Sequence, residues 1–146
     1  MTALSPKFGG QWRVATWWPD VGKVLVVEDN PANMTLATFL LKSAGHTVLT
    51  ATDAESGLTL ARNEQPDLIL MDIQLPGIDG LQATALLKAD EATRAIPVIA
   101  LTALAMKGDE ERIRAAGCDG YIAKPLAYRE FLATISNLLV RAPLYG

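Results

Sequence analysis

Short apolar runs recur along the chain at Lys23–Val27, Thr47–Ala51, Asp67–Asp72, Val98–Leu101 and Gly120–Ala123, and between them apolar residues recur at helical spacing. Short runs alternating with helical patterns predict βα units, and a parallel sheet with helices on both faces. Five strands and five helices are expected. No repeat of the solenoid kind and no low-complexity tract interrupts the order.

The helix boundaries carry their own signals. Asn30 precedes Pro31, an N-cap followed by proline at the first helical position, and this first helix carries Met34, Leu36, Ala37, Leu40 and Leu41 before Gly45 ends it. Thr52-Asp53-Ala54-Glu55 has the spacing of a capping box and predicts a second helix to about Asn63, with Thr52 as the cap. Pro66 resets the chain for the third strand. Asp79-Gly80 opens a third helix to Ala89, and Ile96-Pro97 introduces the fourth strand. A charged fourth helix is expected from Lys107 to Ala116, with Gly117 ending it, and a fifth from Leu126 to Val140.

Polar residues stand where the strands should surface. Glu28 and Asp29 end the first run, Asp72 the third and Thr102 the fourth, while Lys124 follows the fifth. In an open parallel sheet the carboxyl ends of the strands share one edge, and ligands bind there. Three carboxylates brought together repel one another unless a cation shares the site, and the hard divalent ion that takes oxygen ligands while keeping several waters is Mg²⁺. Adding a hydroxyl and an ammonium to such a cluster provides what a phosphoryl group needs around its oxygens. A carboxylate can itself be the nucleophile, and Asp72 is the expected acceptor. Taken singly, each residue has an ordinary explanation: a turn acid, an acid near a helix start, a strand threonine, a surface lysine. Coincidence would have to place all five at one edge.

The order Glu28-Asp29, Asp72, Thr102-Ala103, Lys124-Pro125 resembles the receiver domain of two-component response regulators, over roughly Gly22 to Arg141. Met71-Asp72-Ile73-Gln74-Leu75-Pro76 and Ala105 through Arg112 look most like single-domain members of that family. The resemblance implies a flavodoxin-like (βα)5 fold with strand order 2-1-3-4-5. It implies Asp29 as a direct Mg²⁺ ligand, Glu28 mostly through water, Asp72 as ligand and phosphoacceptor, and the Gln74 backbone carbonyl as a further ligand. Lys124 would pair with a phosphoryl oxygen, Thr102 would move to donate its hydroxyl, and Tyr121 would turn inward as the switch aromatic. The Lys124-Pro125 bond is expected to be cis. The protein would catalyse its own aspartyl phosphorylation and dephosphorylation rather than act as a conventional enzyme. The donor would be a histidine kinase or histidine phosphotransfer protein. The readout would be protein binding, including a possible homodimer, on the face of the fourth helix, fifth strand and fifth helix. Two alternatives stay open: a receiver that is part of a hybrid histidine kinase, and an interaction module independent of phosphorylation. A phosphatase of the haloacid dehalogenase type is disfavoured because Gln74 stands where it needs a second acid, and no nucleotide-binding glycine loop occurs.

Composition narrows the rest. A chain of 146 residues suits one domain, and a net charge of −3 with a pI near 5.1 supplies no basic field for nucleic acid. No apolar run approaches a membrane span and no leader pattern opens the chain, so a cytoplasmic protein is expected, with neither nucleic acid nor membrane as partner. The lone Cys118 reads as a small buried apolar residue and His46 as a surface histidine in the turn before the second strand. Residues 1–21 lie outside the pattern yet hold all three tryptophans, Trp12, Trp17 and Trp18. They read as a disordered extension arising from an upstream start, with a tryptophan-mediated contact to a partner as the sharper alternative. The domain is placed at 22–141 and a tail at 142–146.

Overall fold

The computed structural model describes residues 22–103, 107–124 and 128–141. Pro125, and with it the Lys124-Pro125 bond, residues 1–21, the tail 142–146, Ala105, Met106 and Leu126 fall outside the described residues. Within them the elements run β1 Lys23–Val27, α1 Pro31–Ser43, β2 Thr47–Ala51, α2 Ala54–Glu64, β3 Leu68–Asp72, α3 Gly80–Ala89, β4 Val98–Thr102, α4 Lys107–Ala115, β5 Gly120–Ala123 and α5 Tyr128–Arg141. All strand pairs are parallel and the sheet order is β2-β1-β3-β4-β5. This is the expected doubly wound arrangement.

Side chains alternate across a strand, so each run splits between two apolar layers. Val24, Val26, Leu68, Leu70, Ile99, Leu101 and Ile122 pack with Leu40 and Leu41 of α1 and Phe131 and Ile135 of α5. Leu25, Val27, Ile69, Met71 and Val98 pack on the other side with Ala54 and Ala61 of α2 and Ala83 and Leu87 of α3. Every residue of β3 and β4 is buried, which explains why these strands read as continuous apolar runs.

Three local expectations are corrected. The cap of α2 is Asp53, whose side chain accepts from the Ser56 amide at 2.7 Å; Thr52 belongs to the preceding bend. An aspartate carboxylate is as good a cap as a threonine hydroxyl and adds favourable negative charge at the helix start. His46 is buried, at 6% exposure, and its Nδ1 accepts from the Gly22 amide at 3.2 Å. The turn that carries it folds against the chain entering β1, where Thr47 N donates to Gly22 O at 3.0 Å. Cys118 is half-buried rather than fully buried, beside Thr84. The α3 cap stands as read: Asp79 and Gln82 form a reciprocal capping box.

Candidate functional site at the carboxyl edge of the sheet

Glu28, Asp72 and Lys124 continue three strands in the same two-residue phase, after Val24 and Val26, after Leu68 and Leu70, and after Ile122. The ladder persists just far enough to hold them in phase: Glu28 N donates to Ala51 O at 3.0 Å and Lys124 N to Thr102 O at 2.8 Å. Their side chains consequently emerge on the α1/α5 side of the sheet edge and meet. Lys124 Nζ lies 2.8 Å from Glu28 Oε1 and 3.2 Å from Asp72 Oδ2. Asp29 joins from the loop, and oxygens of Glu28, Asp29 and Asp72 all lie within 4.8 Å of one another. Asp29 is exposed, whereas Glu28 and Asp72 are only 1% and 3% exposed.

Backbone amides fix the two buried carboxylates. Asn30 N donates to Glu28 Oε2 at 3.2 Å, and Gln74 N donates to Asp72 Oδ1 at 2.9 Å. The second Glu28 oxygen, Oε1, is buried with the Lys124 ammonium at ion-pair distance but no hydrogen-bond donor aligned on it. Burial, and next the neighbouring Asp72 carboxyl, push the Glu28 carboxyl up from 4.5 to about 7, against the opposing pull of Lys124 and the Asn30 amide. For Lys124 burial is the largest influence and lowers its pKa, but Glu28 and Asp72 together outweigh it and raise the ammonium above its ordinary value. Three clustered carboxyls, one with an unaligned buried oxygen and a costly charge, form a donor set that fits a hard cation taking oxygen ligands.

Thr102 is buried and ends β4 one residue past Leu101, the partner of Asp72 in the sheet register. Tyr121 pairs with Ala100 at the other end of β5 from Lys124, and its hydroxyl donates to Glu110 of α4. That bond raises the tyrosine pKa, with burial adding to it. The structure therefore brings Glu28, Asp29, Asp72 and Lys124 into one cluster, with Thr102 on the adjoining strand end and Tyr121 on the α4 side.

Two contributors escaped the sequence reading. Glu110 sits in a helix so charged that nothing marks it as Tyr121's partner. Gly80 opens α3 so close to β3 that a Cβ there would lie 2.1 Å from the Asp72 carbonyl oxygen; its own amide donates to Ile73 O at 3.2 Å. Glycine is thus required for α3 to begin against the backbone of Asp72, and a glycine just after an aspartate cap is too common to signal that.

A family model described as the response regulator receiver domain matches residues 24–136. The polar-differentiation response regulator DivK of Brucella ovis is 52% identical over 116 residues, covering 80% of this chain and 94% of that protein. DivK of Brucella anthropi is 51% identical over the same coverage. Among solved structures, the receiver domain of the sensor histidine kinase PA1611 from Pseudomonas aeruginosa, with a magnesium ion coordinated in its active-site cleft, superposes with a TM-score of 0.77 at 38% identity, covering 82% of this chain and 98% of that one.

Proposed function

Because this chain belongs to the response regulator receiver family, in which a histidine kinase partner supplies a phosphoryl group, we propose that Asp72 is the phosphoacceptor and that Glu28, Asp29, Asp72 and the Gln74 backbone carbonyl hold Mg²⁺. The observation that carries the reading is the meeting of two buried carboxylates with the Lys124 ammonium at the end of β3, with an Asp29 oxygen close beside both carboxylates. Bound in this cluster, Mg²⁺ would neutralise charge on the transferring phosphoryl oxygens and on its own carboxylate ligands.

The remaining work falls to the chain's own groups. An Asp72 carboxylate oxygen attacks the phosphorus in line, forming the acyl phosphate as the P–N bond to the donor histidine breaks and the imidazole keeps the electron pair. The amide of Gln74 holds the Asp72 carboxyl in place for this attack. Lys124, now shared between Glu28 and Asp72, turns part of its charge to a phosphoryl oxygen. Thr102 supplies a hydroxyl donor to another. Attack by water on the acyl phosphate resets the protein, so it catalyses both its own phosphorylation and its own dephosphorylation.

The output is a change of surface. Movement of Thr102 toward the phosphate opens space beneath Tyr121, whose ring turns inward and gives up its bond to Glu110, biasing the α4-β5-α5 face between two arrangements. The partners are a histidine kinase or histidine phosphotransfer protein on the donor side. On the output side is a protein, or a second copy of the chain, on that face. No described helix is long and apolar enough to cross a membrane, and cytoplasmic action without nucleic-acid binding is part of the proposal. The 52% identity to DivK, against 38% to a receiver of a sensor kinase, favours a stand-alone regulator over a hybrid-kinase domain.

The test is intact mass after incubation with acetyl phosphate. A gain of one phosphoryl group that requires both Mg²⁺ and Asp72, and is lost in Asp72→Asn, is expected. No gain in the wild-type protein would refute the chemistry and leave a binding module.

A further inference from the structure

Tyr121 and Glu110 join β5 to α4, the tyrosine hydroxyl donating to the carboxylate, and both residues are half-buried. The carboxylate has a competing partner and does not take it. Arg114 follows Glu110 by four residues, the spacing at which an acid and a base on one helix face pair, yet the ion pair of this helix is Asp109 with Arg112. Among the described residues no lysine or arginine stands at ion-pair distance from Glu110. The contact borders a cavity of about 60 Å³ that Ile113, Arg114 and Cys118 also line, and Tyr121 packs against the apolar cluster of Ile73, Ala100 and Ile113. Tyr121 thus has apolar neighbours for its ring and, on α4, a charged acceptor for its hydroxyl.

We propose that Glu110 is a resting latch: by holding the Tyr121 hydroxyl on α4 it favours the outward ring in the unphosphorylated protein, and so lowers the readiness of Asp72 to hold a phosphoryl group. This rests on the reading above, in which Asp72 is the acceptor and Tyr121 turns inward with Thr102. Only the outward ring makes the bond, so its whole free energy is a difference between the two arrangements, which is what a group must supply to bias an equilibrium. Exposure sets the size. A charge-assisted hydrogen bond is of the stronger kind, but water reaches two half-buried partners, which brings the bias to about five-fold. Linkage makes the effect reciprocal: a phosphoryl group on Asp72 must overcome the latch, and removing the latch enlarges the fraction of the chain ready for that group, tightening its apparent affinity by up to the same factor. Glu110 thereby acts on the acidic cluster from α4, as a positioning residue for the switch rather than a part of the chemistry.

Beryllofluoride, a tetrahedral stand-in for an aspartyl phosphoryl group, titrated calorimetrically into the full chain at saturating Mg²⁺ tests the latch. Glu110→Ala should bind it about five-fold more tightly than wild type, and Glu110→Gln, which keeps a neutral acceptor, about two-fold. Glu111→Ala, at the exposed acid next along the helix, should leave the affinity unchanged, which separates the bond from a general loss of negative charge. In a Tyr121→Phe background no hydroxyl remains to be held, and there Glu110→Ala should have no effect. Equal affinities of wild type and Glu110→Ala would overturn the proposal, as would a tightening that persists without the Tyr121 hydroxyl. Should Glu110→Ala lose cooperative unfolding, Glu110→Gln carries the same comparison. A wild-type chain that binds no beryllofluoride would instead overturn the receiver chemistry at Asp72, and the latch with it.

Discussion

Glu28→Gln in the Mg²⁺-free protein should make stability at pH 8 rise, and the advantage should vanish in acid. The Glu28 carboxyl, pushed up to about 7 by its burial, holds a proton in the folded state over a range where the unfolded chain, at 4.5, has lost it. The folded state then binds more protons between pH 4.5 and 7, so this group makes stability fall as pH rises through that window. Below 4.5 the carboxyl is neutral in both states and imposes no penalty. Above 7 the penalty is complete. At 1.36 kcal/mol per pKa unit the shift, which already includes the pull of Lys124, bounds it at about 3 kcal/mol, and rearrangement of the surrounding dipoles around the buried charge reduces the expectation to about 1–2 kcal/mol. Glutamine keeps the shape and an oxygen for the Asn30 amide but never ionises. Urea unfolding in chelator at pH 4.5, 6 and 8 should show the variant's advantage growing with pH. An advantage that does not vary with pH would refute the assignment of the penalty to Glu28 ionisation. Adding Mg²⁺ at pH 8 should narrow the variant's advantage, since the wild type presents one more carboxylate to the ion and is stabilised more by binding it.

His46 should act with the opposite sign. Burial lowers its pKa from 6.5, and its Nδ1 must stay unprotonated to accept from Gly22, so the stability it supports is present above pH 6.5 and lost as pH falls below it; His46→Gln should flatten the pH dependence of the urea midpoint below pH 6.5 relative to wild type. Gly80→Ala places a methyl 2.1 Å from the Asp72 carbonyl oxygen and should cost about 1–3 kcal/mol in urea unfolding while slowing acetyl-phosphate labelling, because α3 must retreat from β3 beside Asp72. Asp53→Ala should lower the thermal midpoint and Thr52→Ala should lower it much less, which thermal unfolding of the two variants would distinguish.

The fold was legible because its signals are local. Unbroken apolar runs named the strands, and caps such as Asn30-Pro31 and Asp79-Gly80 named the helix starts. The place where these polar residues gather was legible for a related reason: a parallel sheet sends every strand's carboxyl end to one edge, so polar residues at the ends of β1, β3, β4 and β5 lie along it. Where local signals were degenerate, the reading slipped. Thr52 and Asp53 are both competent caps, and only the path of the chain into α2 selected Asp53. His46 looked like a surface residue because its burial depends on Gly22, a residue 24 positions away in sequence, being folded over it.

The sequence by itself determined which residues stand at the sheet edge, since run length and strand phase are properties of neighbouring residues. Only the tertiary structure decided which of them touch. Strand phase and register brought Lys124 to Glu28 and Asp72 together, packing against β3 demanded glycine at position 80, and the burial that drives the Glu28 carboxyl up to about 7 comes from elements distant in the chain. Contact, exclusion of water and the resulting cost of charge are set by what lies across the gap, and no local pattern encodes that.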